Sequence, residues 1–184
     1  MARSARQSAQ AIAEFLVQKI GREIKVLDIG GGPLNYARPF AALGARVTVL
    51  DLPEVVNQMA PSLNKTENIQ MVPGDFNEGL PPGPFDLAFL GNICHIFGEP
   101  ENRELFKKVA GVLSPGGSIA VVDFIRGTGP MAAVFGVNML VNTKNGGTWT
   151  LEQYTTWLGD AGLSEVTFHP VAGRQILLAK KQQD

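Results

Sequence analysis

The stretch VLDIGGGPLN, Val26 to Asn35, decides the fold: a run of buried-strand residues ends in three consecutive glycines, and a helical pattern follows. Glycine after a strand lets the backbone approach a ligand closely and leaves the N–H groups of the next helix pointing at it. A tight strand-to-helix turn with no ligand would read the same way. The acid ending the next strand separates the two readings. Asp51, in VTVLDLP, follows the glycines at the roughly 20-residue spacing that lets a carboxylate accept from the two hydroxyls of a nucleoside ribose. Capping of a helix that begins at Pro53 is a second role for Asp51 and is compatible with the first.

Outward from this unit, short aliphatic runs alternate with helical patterns, the signature of a parallel sheet with crossover helices. Strands are expected at Ile24–Ile29, Arg46–Asp51, Gln70–Val72, Phe85–Leu90 and Ser118–Phe124, and helices at Tyr36–Leu43, Pro53–Met59 and Glu101–Leu113. The opening MARSARQSAQAIAEFLVQKI reads as an amphipathic helix with no signal-peptide apolar core. Two last strands, Glu165–Pro170 and Gln175–Lys180, are separated only by Val171 to Arg174. Four residues cannot cross a sheet, so this pair is an antiparallel hairpin. The segment Phe124 to Gly147 is an irregular insertion with a helix around Met131–Val141. The expected fold class is α/β, a doubly wound Rossmann-like sheet ending in an antiparallel hairpin, in one domain over 1–184.

Composition narrows the function. Sixteen basic residues face 17 acidic ones, for a net charge of −1. Such a balance gives no wide electrostatic footprint for nucleic acid or an anionic membrane, so a small ligand is the default. The single cysteine excludes an internal disulfide and a multi-cysteine zinc cluster. With no apolar run of about 20 residues, a soluble cytoplasmic protein is expected.

A dinucleotide fingerprint wants G-x-G-x-x-G, but the position of its third glycine is Asn35. An acid, Asp28, precedes the glycines instead, and Gly74-Asp75-Phe76 follows the third strand. Asp75 can accept from an adenine amino group while Phe76 covers the ring. A ligand with adenine, ribose and an amino-acid tail would use all of these together. Beyond the fourth strand, LGNICHIF brings Cys94 and His95 side by side. Neighbours at a strand end point apart, which argues against a nucleophile–base dyad and makes Cys94 packing. A metal site lacks ligands there, and His169, on the sixth strand, reads as structural.

VLDIGGG, VLDLPEVV, PGDF, the ICH of LGNICHIF, LSPGG and NGG near Trp149 occur in the order found in the S-adenosylmethionine-dependent O-methyltransferases of the plant caffeate and bacterial small-molecule type. The chain resembles that family from about Gln10 to about Lys180. The resemblance implies a seven-stranded class I methyltransferase sheet that binds S-adenosyl-L-methionine. Gly30, Gly31 and Gly32 would then lie at the methionine portion, Asp51 on the ribose and Asp75 with Phe76 at the adenine, with Asp28, Leu52, Gly74, Gly91 and Asn92 completing the cofactor pocket. It makes His95 the general base. Asp123, in AVVDF, matches the family's orienting acid and is one methylene shorter than the usual Glu. A phenol with a pKa near ~10 needs such a base at neutral pH, and base catalysis contributes about 10²–10⁴-fold.

The chain departs from the family at several points. Ile96 and Phe97 replace the usual Asp-Trp, Gly91 replaces a lysine, and no carboxylate follows Gly146 and Gly147. The family's N-terminal winged-helix dimerisation domain, which covers the acceptor pocket, is expected to be absent from this chain. Met131, Phe135, Asn138 and Met139 from the insertion, with Trp149, are then the candidates to line the pocket, although core packing accounts equally well for each. A homodimer, or a partner supplying the missing cover, would complete it. The leading expectation is methyl transfer to a hydroxyl of an aromatic or polyketide-like molecule. Transfer to carbon or carboxylate, a cofactor-binding module that needs a partner, and a distant NAD-linked reductase are the alternatives.

Overall fold

A computed structural model of the chain describes residues 2–64 and 66–183, with side chains from residue 7 onward. Its centre is a seven-stranded sheet in the order β3-β2-β1-β4-β5-β9-β8. The strands are β1 (Lys25–Ile29), β2 (Arg46–Asp51), β3 (Ile69–Pro73), β4 (Phe85–Gly91), β5 (Leu113–Asp123), β8 (Leu163–Val171) and β9 (Arg174–Lys181). β3 to β5 pair in parallel through β1, and β9 runs antiparallel to both β5 and β8. The expected α/β sheet and its closing hairpin are present. That hairpin turns on Ala172 and Gly173, with φ of 48° and 76°, between the paired Val171 and Arg174. Positive φ at both central positions is the turn that matches strand twist.

Each face of the sheet carries its own apolar layer. On one side, α1 (Ala2–Ile20) buries Ile12, Ala13, Leu16 and Val17 with the helix α2 (Ala37–Ala42) against Val26, Val47 and Phe89. The i, i+4, i+5 spacing of these side chains is what makes α1 amphipathic. The expected helix started at Met1, which lies outside the described residues. On the other side, α4 (Glu99–Val112) and α6 (Leu151–Asp160) bury Leu105, Phe106, Val109, Tyr154 and Trp157 against Leu27, Leu90 and Val121. α3 (Pro53–Met59) covers β3, and α5 (Pro130–Asn142) follows a two-residue strand, β6 (Ile125–Arg126), that pairs with β7 (Trp149–Thr150).

Three expectations need correction. The helix α6 was not expected, although Thr150 and Gln153 form a capping box at its start. The fifth strand begins at Leu113, not Ser118, because Leu113 pairs with Phe85 ahead of a register shift. It also ends at Asp123, one residue before Phe124, whose N–H turns back to the Asp123 carboxylate at 2.8 Å.

Candidate active site

The ends of β1, β2, β4 and β5 gather the expected site residues at one edge of the sheet, where open α/β sheets bind ligands. Gly30 has φ of 68°, and its N–H donates to the Leu50 carbonyl at 2.8 Å. A Cβ on Gly30 would come within 2.4 Å of Ile93 Cδ1, and one on Gly31 within 2.3 Å of Asp28 Oδ2. The turn folds back on the strand so tightly that no side chain fits at either position.

Beneath that turn Asp28 is fully buried, and its Oδ2 lacks a hydrogen-bond partner. Burial first, and then the charge of Asp51, push the Asp28 carboxyl from 3.8 up to about 7. A buried, unpartnered carboxyl oxygen under a glycine loop fits a cationic ligand group. Asp51 ends β2 half-buried. Its Oδ2 accepts from the Gly32 N–H at 2.7 Å and its Oδ1 from the N–H of the exposed Leu52 at 2.8 Å. Gly74 donates its N–H to the Asp51 carbonyl, Asp75 Oδ1 closes an Asx turn onto Asn77 at 2.8 Å, and Phe76 meets the edge of Phe97. Gly91 ends β4, where a Cβ would strike the Phe89 and Tyr36 rings. Asn92 follows with φ of 61°, its N–H donating to the Val122 carbonyl.

His95 sits on a single turn after β4, and Asp123 ends the neighbouring β5. The Asp123 carboxylate grips it twice: Oδ1 lies 2.7 Å from His95 Nδ1, and Oδ2 accepts from the His95 backbone N–H at 3.0 Å. The second bond draws the turn towards β5, which is how a side chain one methylene shorter than Glu reaches the ring. Because the carboxylate only accepts, the proton of the neutral ring resides on Nδ1, and Nε2 is the basic nitrogen. Both residues are buried.

Sequence reasoning missed the residues that hold this turn. The buried Asn102 donates from Nδ2 to the carbonyls of Cys94, Phe97 and Gly98, at 2.9, 3.1 and 2.9 Å. Gly147 donates its N–H to the His95 carbonyl, and Trp149 Nε1 donates to the Cys94 carbonyl at 3.2 Å. Asn102 was legible only as a polar residue in register with the apolar stripe Leu105, Phe106 and Val109. Cys94 is wholly buried beside Tyr154. Burial, and then the Asp123 charge, raise its thiol well above its usual range, so no nucleophilic thiolate is at hand.

The expected pocket residues divide. Phe135 packs edge-on to His95 with ring centroids 4.9 Å apart and stacks on Phe124 at 4.1 Å, and Met139, one turn on, is buried. Asn138 is exposed and bonded to Asn142, whereas Met131, though 65% exposed, lines a cavity with Asp123 and Phe124. Trp149 is committed to the core, edge-on to Trp157 beneath the histidine turn. His169 packs against Phe15 on the far hairpin.

This sheet order defines a doubly wound fold of the class I methyltransferase kind, and residues 6–164 match the family model described as O-methyltransferase domain. The chain belongs to that family. It is 30% identical over 161 residues, 82% of its length, to the tetracenomycin polyketide synthesis 8-O-methyl transferase of Streptomyces glaucescens, covering 47% of that protein. It is 31% identical to the 3-hydroxy-5-methyl-1-naphthoate 3-O-methyltransferase of Streptomyces sahachiroi, covering 77% of this chain and 44% of that one. The chain thus spans about half the length of the curated relatives it matches. Among solved structures, human N-acetylserotonin methyltransferase in complex with SAM superposes with a TM-score of 0.78 at 27% identity, over 97% of this chain and 55% of that one.

Proposed function

We propose that the chain transfers a methyl group from S-adenosyl-L-methionine to a hydroxyl of an aromatic or polyketide-like small molecule. The observation that carries this reading is the buried His95–Asp123 pair standing at the same strand edge as the glycine turn and Asp51. The relatives named for polyketide and naphthoate O-methylation support the acceptor class.

The residues present fit that cofactor. The unpartnered Asp28 oxygen suits an ammonium, and Asp51 keeps acceptor capacity for ribose hydroxyls beyond its two backbone bonds. Asp75 and Phe76 stand at the adenine end, with Leu52, Gly74, Gly91 and Asn92 as the remaining walls. The bound sulfonium supplies an activated methyl carbon. The chain's own work is to align the acceptor oxygen and remove its proton. His95 Nε2 takes that proton, and Asp123 stabilises the resulting imidazolium through Nδ1–H while holding the ring in place. Phe135 and Phe124 give the acceptor a flat apolar wall beside the imidazole.

The outer face of α5 supports a covering partner surface. Met131, Val134, Val137, Leu140 and Val141 are each at least 63% exposed there, a contiguous apolar face of the kind that marks association. A second copy of the chain or a separate covering partner would occupy it, and sedimentation equilibrium of the wild type against Val137→Lys tests the first. A wild type that stays monomeric removes the second copy and leaves the separate partner.

Calorimetry with S-adenosylhomocysteine, followed by turnover on a panel of phenols and naphthols, tests the whole. Binding together with methylation that collapses in His95→Ala is expected. Binding with undiminished turnover in that variant would remove the base, and absence of binding would remove the reading.

A further inference from the structure

Arg174 opens β9 at the closing hairpin and, by strand alternation, shares the face of Ile176 and Leu178, which belong to the α1–α2 layer. Its guanidinium reaches across the end of β5 towards β4. There Nη2 donates to Asn92 Oδ1, and the guanidinium carbon stands 5.4 Å from the centroid of the Phe124 ring. The Tyr36 phenol lies close enough to feel the same charge. An amide, a phenol and an aromatic face are all neutral. Among the described residues no carboxylate comes within salt-bridge distance of Arg174, whereas Arg38 and Arg103 are paired with Glu67, Glu99 and Asp160.

A half-buried guanidinium whose direct contacts are all neutral is an incomplete arrangement, because a desolvated charge is stabilised by an opposite one. The planar fork of N–H donors matches the paired oxygens of a carboxylate, as it does those of a phosphate, and the ligands of the proposed methyl transfer offer the carboxylate. Position narrows the choice further. Arg174 lines a cavity of about 230 Å³ together with Asp123, Phe124, Met131 and Gln175. On its other side it holds Asn92, whose left-handed backbone needs support from its surroundings, next to Gly91. The residue therefore bridges the glycine-turn side of the site and the aromatic wall beside His95.

We infer that Arg174 is a carboxylate-binding residue at this junction. Two sources offer that chemistry: the amino-acid end of the cofactor, and an acid group on an aromatic acceptor. The inference deepens the proposed methyl transfer and rests on it for the identity of both ligands.

Calorimetry on the full chain separates the sources. Wild type, Arg174→Met, Arg174→Gln and Arg174→Lys are titrated with S-adenosylhomocysteine and with methylthioadenosine, which lacks the amino-acid end. In saturating S-adenosylhomocysteine they are then titrated with a hydroxynaphthoate and its neutral hydroxynaphthamide. If the cofactor is the source, Arg174→Met weakens S-adenosylhomocysteine by about tenfold or more and leaves methylthioadenosine unchanged. If the acceptor is the source, the naphthoate weakens by that factor and the naphthamide does not. Arg174→Lys retains part of the affinity in either case, and Arg174→Gln controls for folding because it preserves a donor to Asn92. Equal loss for a carboxylate ligand and its neutral counterpart overturns the inference, as do unchanged affinities throughout or a wild type that binds none of the four. A wild type that shows the carboxylate effect yet methylates no phenol refutes the proposed activity and leaves this site standing.

Discussion

The amide nitrogen of Asn102 lies 2.9 Å from the carbonyl oxygen of Cys94, so the first turn of α4 is tied to the residue before His95. The same nitrogen reaches the Phe97 and Gly98 carbonyls, and a single buried side chain thereby sets the shape of the whole histidine turn. Leaving those carbonyls without a donor costs about 1–3 kcal/mol. Asn102→Ala should lose that much stability in urea denaturation and should lower turnover, while S-adenosylhomocysteine affinity is kept. Affinity that falls in step with turnover would show a general collapse of the site instead of a misplaced imidazole.

Asp123 and His95 should fail differently from the cofactor pocket. Asp123→Asn keeps the shape of the side chain but can present an N–H₂ to Nδ1, which destabilises the tautomer with a basic Nε2. Turnover should fall by about 10²–10⁴-fold, as for His95→Gln, with cofactor binding by calorimetry intact. Equal kinetics of wild type and Asp123→Asn would remove the orienting role.

Asp28 makes the empty protein sensitive to pH. Its carboxyl ordinarily titrates at 3.8 and in the fold at about 7, so the folded chain binds the proton more tightly than the unfolded one. The stability belonging to the neutral acid is complete below 3.8 and is lost as the pH climbs to about 7, above which the buried charge is a constant penalty. Asp28→Asn should flatten that decline in a melting series without ligand and make the chain the more stable of the two at pH 8. It should also bind S-adenosylhomocysteine more weakly. A wild type and variant with parallel melting curves across the range would contradict the shift.

Gly31 has no room for a methyl group, since the nearest atom to its would-be Cβ is a buried carboxyl oxygen. Gly31→Ala should abolish measurable cofactor binding and destabilise the fold by about 1–3 kcal/mol through overpacking. Cys94→Ala, by contrast, should retain most turnover and cost about 1–2 kcal/mol for the small cavity it leaves. Turnover abolished in the cysteine variant would revive a nucleophilic role for the thiol.

What could be read from the sequence was local. Gly30 to Gly32 and Asp51 declare themselves because a glycine run after one strand and an acid ending the next are short-range patterns with a direct backbone cause. The His95–Asp123 contact spans 28 residues, and family resemblance made it legible where periodicity did not. Asn102 hides inside an ordinary amphipathic helix. Only its solitary polarity on the apolar stripe betrays it, and which carbonyls it serves depends on a turn that no local rule shapes. Asn138 was grouped with Phe135 and Met139 by helical spacing, but α5 is apolar nearly all round, and such a helix does not announce which side turns inward.

Strand β9 lies between β5 and β8 although it follows both in the chain. During synthesis, therefore, the strand that carries Asp123 must wait with one margin unpaired until residues 174–181 leave the ribosome. An open margin of this kind, in a run as apolar as Ile119 to Val122, can recruit a foreign strand. Slow translation through residues 124–173, the stretch between β5 and β9, would lengthen the interval in which that margin stands open.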